Sequence, residues 1–155
     1  MGQFEQHEGV WVGTNAFRLM PGDVPSDAPM KATISRAAKG ALTQIAYTWV
    51  HPDDGEQDGL LVIGHGEESS TAVAFWGDSW HQSPEPRTLE GTIDGEAVTL
   101  VYNYGGDWRW EVIVDASAPD QVVLTMNNVI PESAATAEIS AGAYAAMRAE
   151  LRRAP

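Results

Sequence analysis

The segment AFWGDSWHQSPEP, residues 74–86, crowds two tryptophans, an aspartate and a histidine ahead of two prolines. Asp78 and His81 are three residues apart. If Asp78 ends a strand, the pair meets across the following turn, where a carboxylate can orient an imidazole for general-base work. Ser79 and Ser83 offer hydroxyls nearby, but no G-x-S-x-G elbow frames either one, and a triad needs its nucleophile beside the base. In the structural alternative, Asp78 and His81 bond main-chain groups at a strand end while Trp76 and Trp80 pack. The second reading is favoured, so no catalytic residue is assigned, and Asp78 with His81 stays as the alternative acid–base pair.

His65 sits between glycines in IGHGEE. With Glu67, Asp78 and His81 it could complete a metal site if the strands converge, but no spaced ligand motif demands one, and neither metal nor cofactor is assigned. His7 and His51, beside an acidic start and a Pro-Asp turn, are expected in solvent. Gln44, Thr48, Asn103, Arg109, Glu111 and Asn127 interrupt good β sequence. Arg109 lies between Trp108 and Trp110, so it must face opposite to them. With the tryptophans inside, Arg109 and Glu111 meet water; with the other face inside, Arg109 would anchor a carboxylate. The alternation with Val112 and Val114 favours the tryptophans inside.

Such residues need a scaffold, and the bulk numbers bound it. At 155 residues the chain has room for one domain, residues 1–155, with a sizeable core. It has no cysteine, which excludes disulfides, thiolate metal sites and a cysteine nucleophile. The formal charge is −13. Nucleic acid wants a basic face, and so does an anionic membrane, so neither is an expected partner. Residues 1–137 hold 20 acids and 6 Lys/Arg, whereas residues 138–155 hold 2 acids and 3 Arg, a locally basic end. The start MGQFEQHEGV lacks the basic and apolar regions of a signal peptide, and no apolar run approaches the about 18 residues of a membrane span. The expected location is cytoplasmic.

Period two dominates the chain. GVWVGTNAF sets Trp11, Gly13, Asn15 and Phe17 on one face, and ALTQIAYTWVH sets Ile45, Tyr47 and Trp49 on one face. Turn clusters such as PGDVPSDAP, PDDGEQDG and Asp94-Gly95 punctuate nine such stretches. The tail, residues 137–155, fits a helix by its alanines and a strand by its alternation. A strand is preferred, because a nine-strand sheet leaves edges exposed unless a tenth closes it. The expected fold is all-β: a single antiparallel up-and-down barrel of about ten strands.

Gly9-Val10-Trp11 opens the first strand. A G-x-W here resembles the calycin superfamily, the lipocalins and fatty-acid-binding proteins. That resemblance implies that Trp11 closes one end of the barrel, with Arg148 or Arg152 stacked on it as a cation–π partner. The chain as a whole resembles more closely the bacterial lipocalin-like family labelled domain of unknown function 1579, in its GVWVG start, FWGDSWHQS segment, YNYGGDWRWEV hairpin and basic end. This resemblance covers most of the chain and implies a fold without an established activity. A more distant similarity is to nitrobindin-like barrels, which open G-x-W-x-G-x-G and bind haem through a late-strand histidine. Here Asn15 stands where the next glycine would fall and no histidine follows His81, so the haem reading is disfavoured.

The function expected first is binding of a small, largely apolar ligand in the interior, among Trp49, Phe75, Trp76, Tyr102, Trp108 and Trp110, with Asp78 and His81 orienting it. An enzyme using the Asp78/His81 pair on a small substrate is the second reading. A packed barrel that acts by self-association, leaving a homodimer open, is the third.

Overall fold

The computed structural model describes residues 4–81 and 85–155. Ten strands make up the fold: β1 (Gly9–Phe17), β2 (Ser26–Ala37), β3 (Leu42–His51), β4 (Gly55–His65), β5 (Thr71–Asp78), β6 (Arg87–Asp94), β7 (Ala97–Gly105), β8 (Trp108–Asp115), β9 (Gln121–Ile130) and β10 (Gly142–Arg153). Each pairs with its neighbour in sequence, and β1 closes on β10, giving the expected closed, antiparallel, up-and-down barrel. No helix among the described residues is long and apolar enough to cross a membrane.

The tail is the closing strand. Alanine's helix preference is worth only tenths of a kcal/mol per residue, whereas β10 pairs with β1 on one side and β9 on the other. A bulge shifts the register between Ala145 and Met147, so the inward face of this strand runs through Met147, Ala149 and Leu151 but does not extend in phase to Ala143. Arg18 takes up the carbonyls at the bulge: its main-chain N–H donates to Ala146 (2.9 Å) and its Nε to Ala145 (2.9 Å).

Alternation fills the interior with rings and aliphatics. Trp11, Phe17, Tyr47, Trp49, Trp76, Val112, Val114, Met126 and Met147 are all buried. The opposite faces carry Val10, Val12 and Phe75 outward. Phe75 is 46% exposed, which corrects its expected place in the lining: Trp76 takes the inner position, and the pleat turns Phe75 to solvent. With the tryptophans of β8 inward, Arg109 is exposed, and Glu111 accepts a hydrogen bond from Asn127 across the β8–β9 pair (2.8 Å).

One end of the barrel is plugged by a short 3-10 turn, Glu5–His7, preceded by the buried Phe4. Trp11 lies beneath it, stacked on His7 (5.4 Å between centroids) and donating its indole N–H to the His7 carbonyl (2.8 Å). His7 is therefore buried rather than solvated, its Nε2 within 3.0 Å of the Ala118 carbonyl. The cation over Trp11 is Arg153, with its guanidinium carbon 4.6 Å from the ring centroid. Its two terminal nitrogens donate to the carbonyls of Glu8 and Gln6, each at 2.8 Å. Arg148 and Arg152 are exposed on the outer face, against Glu150 and Asp120. This corrects the expected partner: Arg153 is in phase with Met147, Ala149 and Leu151, and the even-numbered arginines are not.

Arg153→Ala is expected to lower stability by about 1–2 kcal/mol, since it removes a cation–π contact and two charge-assisted hydrogen bonds. Arg148→Ala and Arg152→Ala should change it by less than about 0.5 kcal/mol, as exposed pairs do. Urea unfolding of the three variants checks the ranking.

Candidate functional site

The other end of the barrel is organised by Asp78, the last residue of β5. Its carboxylate is buried and meets four donors. Oδ2 accepts from the Tyr47 hydroxyl (2.7 Å) and the Trp49 indole (3.1 Å). Oδ1 accepts from the main-chain N–H groups of Trp80 and His81, each at 2.9 Å. Trp76 extends the network by donating to the Tyr47 hydroxyl (2.8 Å). Burial, reinforced by the Asp78 charge, holds the Tyr47 phenol well above its ordinary pKa, so it stays a donor.

The Tyr47–Asp78 contact spans an intervening strand. Gly59 pairs with Tyr47 on one side and with Asp78 on the other. A Cβ at Gly59 would lie 2.3 Å from the Tyr47 hydroxyl oxygen. The missing side chain is what lets the phenol cross β4 to the carboxylate.

The two N–H bonds to Asp78 turn the chain inward after β5 and bring Trp80 and His81 over the barrel mouth. The His81 ring stacks on Trp49 (5.3 Å, 19°) and lies 5.0 Å from Trp110. Its Nε2 is 2.9 Å from the Met147 sulfur. Trp80 stacks on His51 at 4.6 Å, and Phe17 touches His51 at 4.9 Å. His51 is thus buried, not solvated, because the turn after Asp78 covers it. Burial pushes the His81 imidazole down from 6.5 to about 4; the Asp78 carboxylate opposes that shift, and His51 adds to it.

A cleft of about 230 Å³ opens beside this cluster, lined by His81, Tyr102, Tyr104 and Trp110. The β6–β7 ladder stops at Glu90↔Val101, although β6 begins at Arg87 and β7 continues to Gly105. Where the strands part, Tyr102 and Tyr104 form a wall. Tyr104 is fixed by its hydroxyl donating to Asn128 (2.6 Å). Trp110 stacks on Trp76 (6.0 Å, 7°), and its indole N–H is buried without a hydrogen-bond partner.

Most of the predicted site residues therefore meet at one end, in different roles. His81, Tyr102 and Trp110 line the cleft, Trp49, Trp76 and Asp78 lie buried behind it, and Trp108 stands at the rim, 6.3 Å from Tyr104. Asp78 binds the main chain of His81 rather than its ring, so it does not orient the imidazole as a base. Ser79 faces away, donating to Gln57 (2.7 Å) and accepting from the Asp58 N–H (3.0 Å). Ser83 lies outside the described residues. His65 pairs with Ala72, whereas Asp78 pairs with Gly59, six positions away along β4, so the strands do not bring His65 to Asp78. Among the described residues no three His, Cys, Asp or Glu side chains come together as a metal site. Sequence reading missed Tyr47, Gly59, Tyr104 and Met147. A glycine standing between a tyrosine and a buried carboxylate on the strands to either side was the available signal, but it needs the register to be seen.

Compared with known proteins, the chain matches no family model and no curated protein.

Two outcomes follow from this arrangement. Gly59→Ala is expected to expel the Tyr47 ring and cost about 2–4 kcal/mol, close to the loss in Asp78→Ala, with the double variant far from additive; urea unfolding of the cycle measures this. Unfolded His81 takes up a proton near pH 6.5 but the folded residue only near 4. The unfolded chain therefore binds more protons in that window, and stability drains as pH falls through it, by on the order of 3 kcal/mol. His81→Gln should remove that part of the slope in unfolding curves recorded between pH 7 and 4.

Proposed function

We propose that this protein is a small-ligand-binding barrel of the lipocalin-like, calycin type. Its guest is a neutral one- or two-ring molecule carrying a hydrogen-bond acceptor, held in the mouth cleft. The single observation that carries this reading is Trp110: its ring lines a cleft walled by other rings, and its buried indole N–H has no acceptor. An unmet buried donor costs about 1–3 kcal/mol, and a guest that accepts from it recovers that cost. Size agrees, since a dry cavity of about 150 Å³ already accommodates benzene, and this cleft is somewhat larger. Among the described residues the lining has no carboxylate, ammonium or guanidinium, which favours a neutral guest. The guest sits at the mouth because the interior behind it is filled by Trp49, Trp76 and Tyr47. Trp11 capped by Arg153 supports the calycin-type relationship. The acid–base reading is less well supported, because the Asp78 carboxylate is spent on main-chain and indole donors and the ring nitrogen of His81 faces a thioether.

Quinoline and naphthalene share a shape but only quinoline has an acceptor. Quinoline is expected to move the Trp110 indole N–H resonance downfield and to bind about fivefold tighter than naphthalene, as one net hydrogen bond provides. In Trp110→Phe the two should bind equally. Equal binding in the unaltered protein, or shifts that avoid Trp110 and His81, would sink the proposal. Native mass spectrometry of the protein purified without added ligand then reports whether a guest travels with it, and whether it is a monomer or a dimer.

A further inference from the structure

His81 and Met147 meet as an ill-matched pair. The imidazole Nε2 stands 2.9 Å from the thioether sulfur, and a thioether is only a weak acceptor. If Nε2 carries the ring hydrogen, it donates to a poor partner. If it does not, two lone pairs face each other. Both atoms are, by contrast, good ligands for a soft cation. A second thioether stands beside the first. Met126 on β9 pairs directly with Met147 on β10, and each is 1% exposed, so both side chains share the inner face. Directly opposed residues have Cβ atoms about 4.5–5.5 Å apart, within reach of one another for two unbranched, freely rotating side chains.

The surroundings suit a single positive charge. The Trp49 indole lies face to face with the His81 ring at 5.3 Å, and the centroids of Trp110 and Trp76 are 5.0 and 6.0 Å from it. Indole faces attract a desolvated cation. The Asp78 carboxylate, which accepts the main-chain N–H of His81 at 2.9 Å, supplies a buried negative charge close by. Its oxygens are already committed to four donors, so it serves as a countercharge and not as a ligand. A donor set of one imidazole and two thioethers has no oxygen, which disfavours calcium and magnesium. Zinc is held by thiolate, imidazole and carboxylate, not by thioethers. The set matches a soft monovalent ion such as copper(I). His81 also lines the mouth cleft, which gives the ion a way in from solvent.

We propose that His81, Met147 and Met126 form a binding site for a soft monovalent cation of the copper(I) class, at the base of the mouth cleft. His81 ligates through Nε2 and the two methionines through sulfur. With metal–nitrogen and metal–sulfur lengths of about 2.0–2.1 and 2.3 Å, a trigonal ion asks Nε2 and the Met147 sulfur to part by less than about 1 Å. Rotation of an unbranched thioether supplies that movement. The chain has no cysteine, so no thiolate competes for the ion. The charge of −13 draws cations in general toward the protein, and the donor set selects among them. The site does not rest on the aromatic guest, because Met147 and Met126 lie outside the cleft lining.

The test is titration with silver(I) nitrate in chloride-free buffer, silver(I) standing in for copper(I) without its redox chemistry. The protein carries ¹³C-methyl-labelled methionine. One silver ion per chain is expected in native mass spectra. The ε-methyl signals of Met126 and Met147 should shift saturably with the His81 ring signals, while that of exposed Met20 stays in place. Met147→Leu conserves volume. It should keep the fold and the quinoline affinity but lose at least about tenfold in silver affinity, as removal of a ligand does. Should that variant fail to fold, Met126→Leu reads the same loss. Zinc(II) should bind at least about a hundredfold more weakly than silver(I). Silver bound equally by Met147→Leu, or shifts confined to Met20 or to the other histidines, would overturn the site. Zinc bound as tightly as silver would overturn its assignment to soft cations. Silver seated on Met147 in a protein that ignores quinoline would sink the aromatic guest alone.

Discussion

Asp78 carries a carboxylate into an interior built mainly of rings and aliphatics, and the donors that meet it come from β3 and from the turn after β5. A buried anion is tolerated only when hydrogen bonds replace its lost water. Here those bonds fix more than the anion. The Tyr47 and Trp49 bonds tie β3 to β5 across β4, and the two main-chain bonds fold Trp80 and His81 over the mouth. Every ring contact of His81, the burial of His51 and one wall of the cleft descend from that turn.

The same end of the barrel is where the wall loosens. Two ladders stop short there, β2–β3 at Lys31↔Thr48 and β6–β7 at Glu90↔Val101. The Trp11 end differs. Phe4, His7 and Trp11 pack under the 3-10 turn, and Arg153 closes it with a stacked guanidinium and two hydrogen bonds. One end is thus closed by its rings and by Arg153, with His7 Nδ1 buried there without a partner, and the other opens into the cleft.

How much of this was legible varies with the range of the interaction. Alternation put Tyr47 and Trp49 on one face of β3 and favoured the Val112 face of β8 as the inner one, because the pleat is a local property of the backbone, while which face of β1 and β3 turned inward was left to the closed sheet. The same rule, applied to the basic tail, would have picked Arg153 over Arg148 and Arg152, since only Arg153 is in phase with Leu151. His51 looked solvated because a Pro-Asp turn follows it, and nothing local announces that Trp80 will stack on it. Phe75 illustrates the opposite error: an aromatic counted toward the lining on its type, when its parity with Trp76 already turned it outward.

The chain's own pattern of alternating residues, turn clusters and a tenth strand-like segment was enough to fix an all-β barrel, because strand formation and edge closure depend on features that recur every second residue or lie within a single turn. The site depended on register. Whether Gly59 falls between Tyr47 and Asp78, whether Met126 stands opposite Met147, and whether His65 reaches Asp78 are questions of which residue stands opposite which across strands far apart in sequence. A slip of one position reverses every side chain's face. Only the closed sheet, with its ten ladders held in register at once, settles those pairings, and with them where the unmet polar groups lie.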